Sequence, residues 1–190
     1  MLSDSEHKMC VVVLFGGMSS EHEVSRVSAG TFVDQLDRQR YELLTIGITK
    51  DGRWLYTEAT SAQMADGSWE ELPGNMPCVV SPDRADHGLI LFTPAGQVEK
   101  VRADVVIPVL HGLWGEDGTV QGMLEMAGVP IIGCGTLASA LCMDKDKAHK
   151  LAALAGVEVP RSAVFTRRAS RAAVENAAPV SYTHLTLPTT

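Results

Sequence analysis

Aromatic side chains are scarce in this sequence, at 5% of 190 residues. A core built from it must therefore come from Val, Leu, Ile, Ala and Met. Excess positive charge is missing too, since the formal net charge is −7. That balance excludes a general nucleic-acid binder, which needs a basic surface to neutralise phosphates. It leaves room for a local basic spot that meets one phosphate. No apolar run approaches the roughly 20 residues that a membrane helix needs. The opening residues, MLSDSEHKMC, are polar and partly acidic, unlike a secretory leader. These absences predict a soluble, cytoplasmic protein with no membrane partner. Among the four cysteines, Cys10, Cys78, Cys134 and Cys142, no pair has the C-x-x-C spacing of a zinc or redox centre. Three of them sit in apolar or glycine-rich surroundings, which predicts buried, reduced thiols. Internal repeats and long low-complexity tracts are lacking as well.

What is present is enough apolar material for a core: 45% hydrophobic against 21% charged residues. The length suits one domain, or one domain and the start of another. Residues 10–15 (CVVVLF) form a short, continuous, β-branched apolar run, the pattern of a strand buried on both faces in a parallel sheet. Gly16-Gly17 ends it. A helical pattern follows over 21–36, with Val24, Val27, Phe32, Val33 and Leu36 as its apolar side. Residues 43–48 read as a second strand, completing a βαβ unit. A turn at Asp51-Gly52 predicts a hairpin over 48–56. Residues 57–88 are rich in Pro, Gly, Asp and Ser and predict loops and short pieces, a surface insertion. Residues 89–92 and 98–101 flank Pro94-Ala95-Gly96 as another hairpin. Residues 105–110 (VVIPVL) are the next buried strand. A helix follows whose apolar positions, Val120, Met123, Leu124 and Ala127, fall at i, i+3, i+4 and i+7. A short strand over 129–132 comes next, then two helical patterns, the second stopped by Gly156. Residues 157–165 read as extended.

Three segments carry residues suited to chemistry. The first, FGGMSSEHEVS over 15–25, joins a strand to a helix. Ser20 and Glu23 fit a capping box. Glu21 stands at the carboxyl edge of the sheet, where open α/β folds bind ligands, and a carboxylate there can hold an ammonium group. The second, HGLWGEDGT over 111–119, also follows a buried strand. Its three glycines, one histidine and two acids pack poorly, and the next helix aims its N-terminus at the loop, which favours anions. His111 reads either as structural or as a ligand contact. Glu116 and Asp117 read as helix-start stabilisers or as loop acids with another task. The third, CMDKDKAHK over 142–150, offers Asp144 as a helix cap. Its Lys145, Lys147 and Lys150 form a solvated face, or one of them meets a phosphate.

Order, spacing and length of these segments over about residues 9–166 resemble the D-alanine–D-alanine ligases of the ATP-grasp superfamily. The text that carries the resemblance is FGGMSSEHEVS, then HGLWGEDGTVQGMLEMAGVPIIGCG, then LASALCMDKDKAHKLAALAGVEVP. The longer insertion from Ile48 to Asp104 resembles the branch that also holds D-alanine–D-lactate ligases. The resemblance implies an α/β, Rossmann-like pre-ATP-grasp domain with a parallel sheet over residues 1–133, and the incomplete start of an ATP-grasp domain over 134–178. It implies ATP-dependent joining of two D-alanines through an acyl phosphate, for peptidoglycan precursors. It further implies that Glu21 holds the ammonium of the first D-alanine and orders the site, that His111 lies near the substrate carboxylate, and that Lys145 contacts an ATP phosphate. ATP and magnesium are the implied cofactor and metal, with the metal ligands in later sequence, and the full-length protein is implied to be a homodimer. Residues 179–190 depart from the family: four threonines, two prolines and no acid predict a non-native tail. The chain alone is accordingly expected to be inactive. Two other classes stay open, a non-catalytic α/β small-molecule binding module and a pseudo-enzyme that serves as a dimer partner.

Overall fold

The computed structural model describes residues 8–165 and 171–172. A division between residues 140 and 141 separates two compact units. The first is a seven-stranded sheet in the order β6-β5-β4-β3-β2-β1-β7. Its chain order is β1 (Met9–Gly16), α1 (His22–Gln35), β2 (Tyr41–Ile48), β3 (Trp54–Thr57), α2 (Ser61–Asp66) and a 3-10 turn (Ser68–Glu71). Then come β4 (Met76–Val80), β5 (Gly88–Phe92), β6 (Val98–Arg102), β7 (Val105–Pro108) and α3 (Thr119–Ala127). Helix α4 (Thr136–Met143) crosses the division, and α5 (Lys145–Leu154) belongs to the second unit. Residues 179–190, singled out as a tail, lie outside the described residues.

The α/β class expected from the sequence holds, but the sheet is mixed. Strand β1 pairs in parallel with β2 and with β7. The other four pairings, from β2–β3 to β5–β6, are antiparallel. The cause lies in the connections. Only the β1–β2 connection contains a helix long enough for a parallel crossover, whereas β2–β3 and β5–β6 are closed by tight turns that force the chain back on itself. The predicted strand over 129–132 contributes a single parallel bridge, Val106 to Ile131, and no full strand.

Strand β1 explains why its sequence is apolar without alternation. Cys10, Val12 and Leu14 enter one buried cluster, with Val120, Leu124 and Ala127 of α3. Val11, Val13 and Phe15 enter the other, with Ala29 of α1, Met64 and Trp69. Each face of the strand is covered, so both sets of alternate residues must be apolar.

Two expectations fail at this level. Residues 57–88 are not a surface insertion, because Met64 and Trp69 are completely buried and β4 extends the sheet. Trp69 meets Phe15 edge-on, ring centroids 4.9 Å apart. Its ring also occupies the space above Gly47, where an added Cβ would lie 2.2 Å from Trp69 Cζ3. The segment escaped detection because a six-residue helix and a four-residue turn are too short to show a period. The second failure is the face of α1. Phe32 and Val33 pack against the core as expected, but Val24 and Val27 are 55% and 54% exposed, and the fully buried residues are His22, Ser25, Ala29 and Gly30. The first turns of α1 lie over strand ends, where backbone groups need polar partners, so polar side chains point inward there. The capping box of Ser20 and Glu23 is absent too. Glu21 occupies the N-cap position with no side-chain cap bond, and Glu23 pairs with Lys50. A true capping box forms at Thr60 and Gln63.

Candidate functional site

Strands β1 and β7 run side by side in parallel, so the loops that leave their carboxyl ends emerge as neighbours. The first loop turns sharply at Gly16 and Gly17, whose φ values are +87° and +93°. A Cβ on Gly16 would stand 2.3 Å from the Ile48 carbonyl oxygen, which leaves glycine as the residue that fits. Beyond that turn come Met18, Ser19, Ser20 and Glu21. The second loop carries His111 to Gly118 and is tied internally. Gly112 N donates to Glu116 Oε2 at 2.7 Å. Trp114 N and Thr119 N donate to the two oxygens of Asp117 at 2.9 and 3.0 Å. Burial pushes the Asp117 carboxyl up, but these backbone donors outweigh it and hold it below the usual carboxylate range. Asp117, one residue before the N-cap Gly118, thus braces the turn that leads into α3, while Glu116 folds the loop onto its own beginning. Gln121 of α3 adds a buried bond from Nε2 to the Gly115 carbonyl at 2.8 Å.

The two loops bring together Glu21, His111 and Glu116, with one ligand atom of each lying within 4.8 Å of the others. Both carboxylates are exposed and the imidazole is half-buried. His111 Nε2 also approaches Ser28 Oγ of α1 at 3.4 Å. An ammonium group, or a borderline divalent cation that accepts imidazole nitrogen beside carboxylate oxygen, fits among these three side chains. Magnesium fits them less well, since it takes oxygen ligands and one of the three donors is an imidazole nitrogen. Beside Gly17 and His111 opens a cleft of about 200 Å³ with an apolar lining that includes Met18, Trp54, Leu110, Leu113, Trp114 and Met123.

Lys145 belongs to the second unit and is described by itself. It is the exposed first residue of α5, behind Asp144, whose side chain accepts from Lys147 N and caps the helix. Lys147 and Lys150 are drawn into pairs with Asp144 and Asp146, at 3.4 and 2.7 Å. Lys145 has no ion pair among the described residues, which separates it from the solvated face that the other two form. Of the four thiols, Cys10 and Cys78 are buried as expected, whereas Cys134 and Cys142 are exposed. Burial pushes Cys10 up to about 11 and Cys78 up to about 12, so both stay protonated and inert near neutral pH.

Sequence reasoning missed the polar residues that support the loops: Ser19, His22, Ser25 and Gln121. Three of them, His22, Ser25 and Gln121, are polar residues at buried helical positions, and Ser19 lies in the loop before α1. His22 is almost wholly enclosed, and its Nδ1 lies 2.6 Å from the Gly17 carbonyl oxygen.

Residues 10–134 match the family described as D-ala D-ala ligase N-terminus. A D-alanine–D-alanine ligase of Caldicellulosiruptor bescii is 48% identical over 150 residues, covering 79% of this chain and 40% of the relative. A putative D-alanine–D-lactate ligase of Streptomyces coelicolor is 44% identical, covering 80% of this chain and 42% of the relative. Among solved structures, the VanG D-Ala:D-Ser ligase from Enterococcus faecalis superposes with a TM-score of 0.78 at 40% identity, over 91% of this chain and 49% of that one. The chain therefore spans less than half the length of the relatives it matches. It belongs to the D-alanine–D-alanine ligase family and corresponds to the N-terminal part of its members.

Proposed function

We propose that the full-length protein joins two D-alanines at the expense of ATP, supplying the dipeptide for peptidoglycan precursors in the cytoplasm. The observation that carries this reading is the meeting of Glu21 and His111 at the carboxyl ends of adjacent parallel strands. A carboxylate in that crevice pairs with the ammonium of the first D-alanine through a charge-assisted hydrogen bond. His111, beside it, faces the substrate carboxylate. A carboxylate is a poor electrophile. Transfer of the ATP γ-phosphoryl group to one of its oxygens gives an acyl phosphate and ADP. The amine of the second D-alanine then attacks the carbonyl carbon, loses a proton and expels phosphate. Lys145 contacts an ATP phosphate as a point charge. Magnesium would supply charge neutralisation between the phosphates, and its ligands belong to the part of the protein outside this chain.

Residues 1–133 form the substrate-binding domain in this reading, and 134–178 begin the ATP-binding one. The full-length protein is proposed to work as a homodimer. The test is to incubate it with ATP, magnesium and D-alanine, then to repeat the assay with D-lactate or D-serine as second substrate. ADP and D-alanyl-D-alanine formed together support the reading. Product with D-lactate or D-serine alone moves the assignment to a sister activity, and binding of D-alanine without ADP formation favours the non-catalytic module.

A further inference from the structure

The ladder between β1 and β7 stops one step short of where the two loops begin. Its last paired residues are Leu14 and Pro108, followed by one more bond from Val109 N to the Leu14 carbonyl at 2.9 Å. In a parallel ladder the next bond would run from Gly16 N straight to the Val109 carbonyl. Instead, the hydroxyl of Ser25, on α1, occupies that place. Ser25 Oγ accepts from Gly16 N at 2.8 Å and donates to the Val109 carbonyl oxygen. It is 0% exposed. One oxygen atom therefore holds the two strand ends apart while keeping them joined, at the point where the crevice opens.

A second hydroxyl repeats the device nearer the candidate site. Ser19 Oγ donates to the carbonyl of His111 at 2.6 Å and accepts the backbone N–H of Glu21 at 3.1 Å. The backbones of both candidate site residues thus end on the same oxygen. Ser19 is itself buried. Removing either hydroxyl leaves backbone groups without partners in a place that water reaches poorly, so the loops must move to find new ones.

We propose that Ser19 and Ser25 are positioning residues, two buried hydroxyls that set the spacing of the β1 and β7 loops and so fix Glu21 against His111 for the ammonium and carboxylate of the first amino-acid substrate. The substrate class rests on the ligase reading above; the bridge itself does not. In the full-length protein, Ser19→Ala and Ser25→Ala should each raise the D-alanine KM roughly ten- to hundredfold, the scale expected when reacting groups are misplaced by about an ångström. The ATP KM should stay within about twofold, on the same premise that only the first substrate's contacts move. Thr31→Ala, on the exposed side of the same helix, serves as the control. A residue acting through Glu21 should add little once Glu21 is changed, so Ser19→Ala combined with Glu21→Gln should fall well short of the summed single effects. A purely structural role predicts the opposite pattern: a lower Tm, unchanged KM values and full additivity, and that result overturns the proposal. Should Ser25→Ala not fold, Ser25→Cys keeps the volume with a weaker hydrogen bond and reads the same spacing. Failure of the ligase reading would show separately, as wild-type protein without turnover. The bridge is then read from amide exchange at Gly16 and Glu21 and from the Glu21–His111 separation in crystals of the variants. Unchanged exchange and unchanged separation overturn it.

Discussion

The two loops at the carboxyl ends of β1 and β7 and the charged run of α5 hold similar residue types in different ways. The loops are joined to each other by two bonds that cross the chain: Ser19 reaches His111 over 92 residues, and Ser25, at the start of α1, reaches Val109 over 84. In α5 the charges are tied to near neighbours, Lys147 to Asp144 and Lys150 to Asp146, three and four residues away. Long-range bonds through buried hydroxyls fix where a side chain stands relative to another element. Neighbour pairs on an exposed helix steady only the helix that carries them, and weakly. The loops are held in place by bonds from other elements, whereas in α5 Lys145 stands apart only in making no ion pair among the described residues.

The harshest way to break that comparison is to separate both regions from the rest of the protein. The 190-residue chain, purified and supplied with ATP, magnesium and D-alanine, should release no phosphate and form no dipeptide. It spans less than half the length of its relatives, and the one three-ligand cluster among the described residues suits magnesium poorly. Turnover above a no-enzyme control would mean that the catalytic machinery lies within these residues after all. Next in size is Glu21→Gln in the full-length protein. Losing a charge-assisted hydrogen bond costs about 1.5–3 kcal/mol, roughly ten- to hundredfold in the D-alanine KM at 1.4 kcal/mol per factor of ten. An unaltered KM for D-alanine would remove Glu21 from the site.

Much of this frame was legible because it rests on periodicity. The run CVVVLF showed a strand covered on both faces, the i, i+3, i+4, i+7 spacing showed α3, and Asp51-Gly52 and Pro94-Ala95-Gly96 marked two hairpins. Beyond the antiparallel pairs that the two hairpins imply, strand pairing was not legible: nothing in the sequence joined β4 to β3 and β5, or set β7 beside β1, because a strand's apolar pattern does not record which neighbour it pairs with. Trp69 was hidden for a related reason. A single large side chain filling the space over Gly47 leaves no repeating signal. At the site, Glu21 and His111 stood out as charged or ionisable residues after buried strands, and the structure brings them together. Ser19 and Ser25 did not stand out. A serine's worth depends on which backbone groups lie within reach of its oxygen, and one partner of each comes from far along the chain, 92 residues for Ser19 and 84 for Ser25.

The charged run offers a milder test. Lys145→Ala in the full-length protein should impair ATP use several-fold, the loss of one point charge from phosphate, while α5 persists because Ala is the best helix former. Lys150→Ala should leave ATP kinetics unchanged, since that side chain is already held by Asp146. Equal effects from both would return Lys145 to the solvated face and erase the distinction within α5.

The smallest effect expected is on stability, from the loop acid Asp117, and it sharpens the claim that the β7 loop is held in place. Asp117→Asn keeps one carbonyl oxygen as acceptor and loses the charge, so Trp114 N and Thr119 N can no longer both be met by carboxylate oxygens. By analogy with helix caps, the loss should be about 1 kcal/mol at neutral pH. Its pH dependence follows from the direction of the shift. The folded protein holds this carboxyl below its unfolded value, so the stabilisation is fully present above about pH 4 and fades as pH falls through the lower folded value. The stability gap between wild type and Asp117→Asn, measured by urea unfolding at matched pH values, should therefore be widest near neutrality and close progressively below about pH 4. Other carboxylates titrate in the same range, Asp51 and Asp86 among those also held low, and both proteins lose their contribution alike. Only the difference between the two curves reports Asp117. A gap that stays constant down to strongly acid pH would show that the charge does not hold the loop, and that Glu116 and Gln121 carry that work instead.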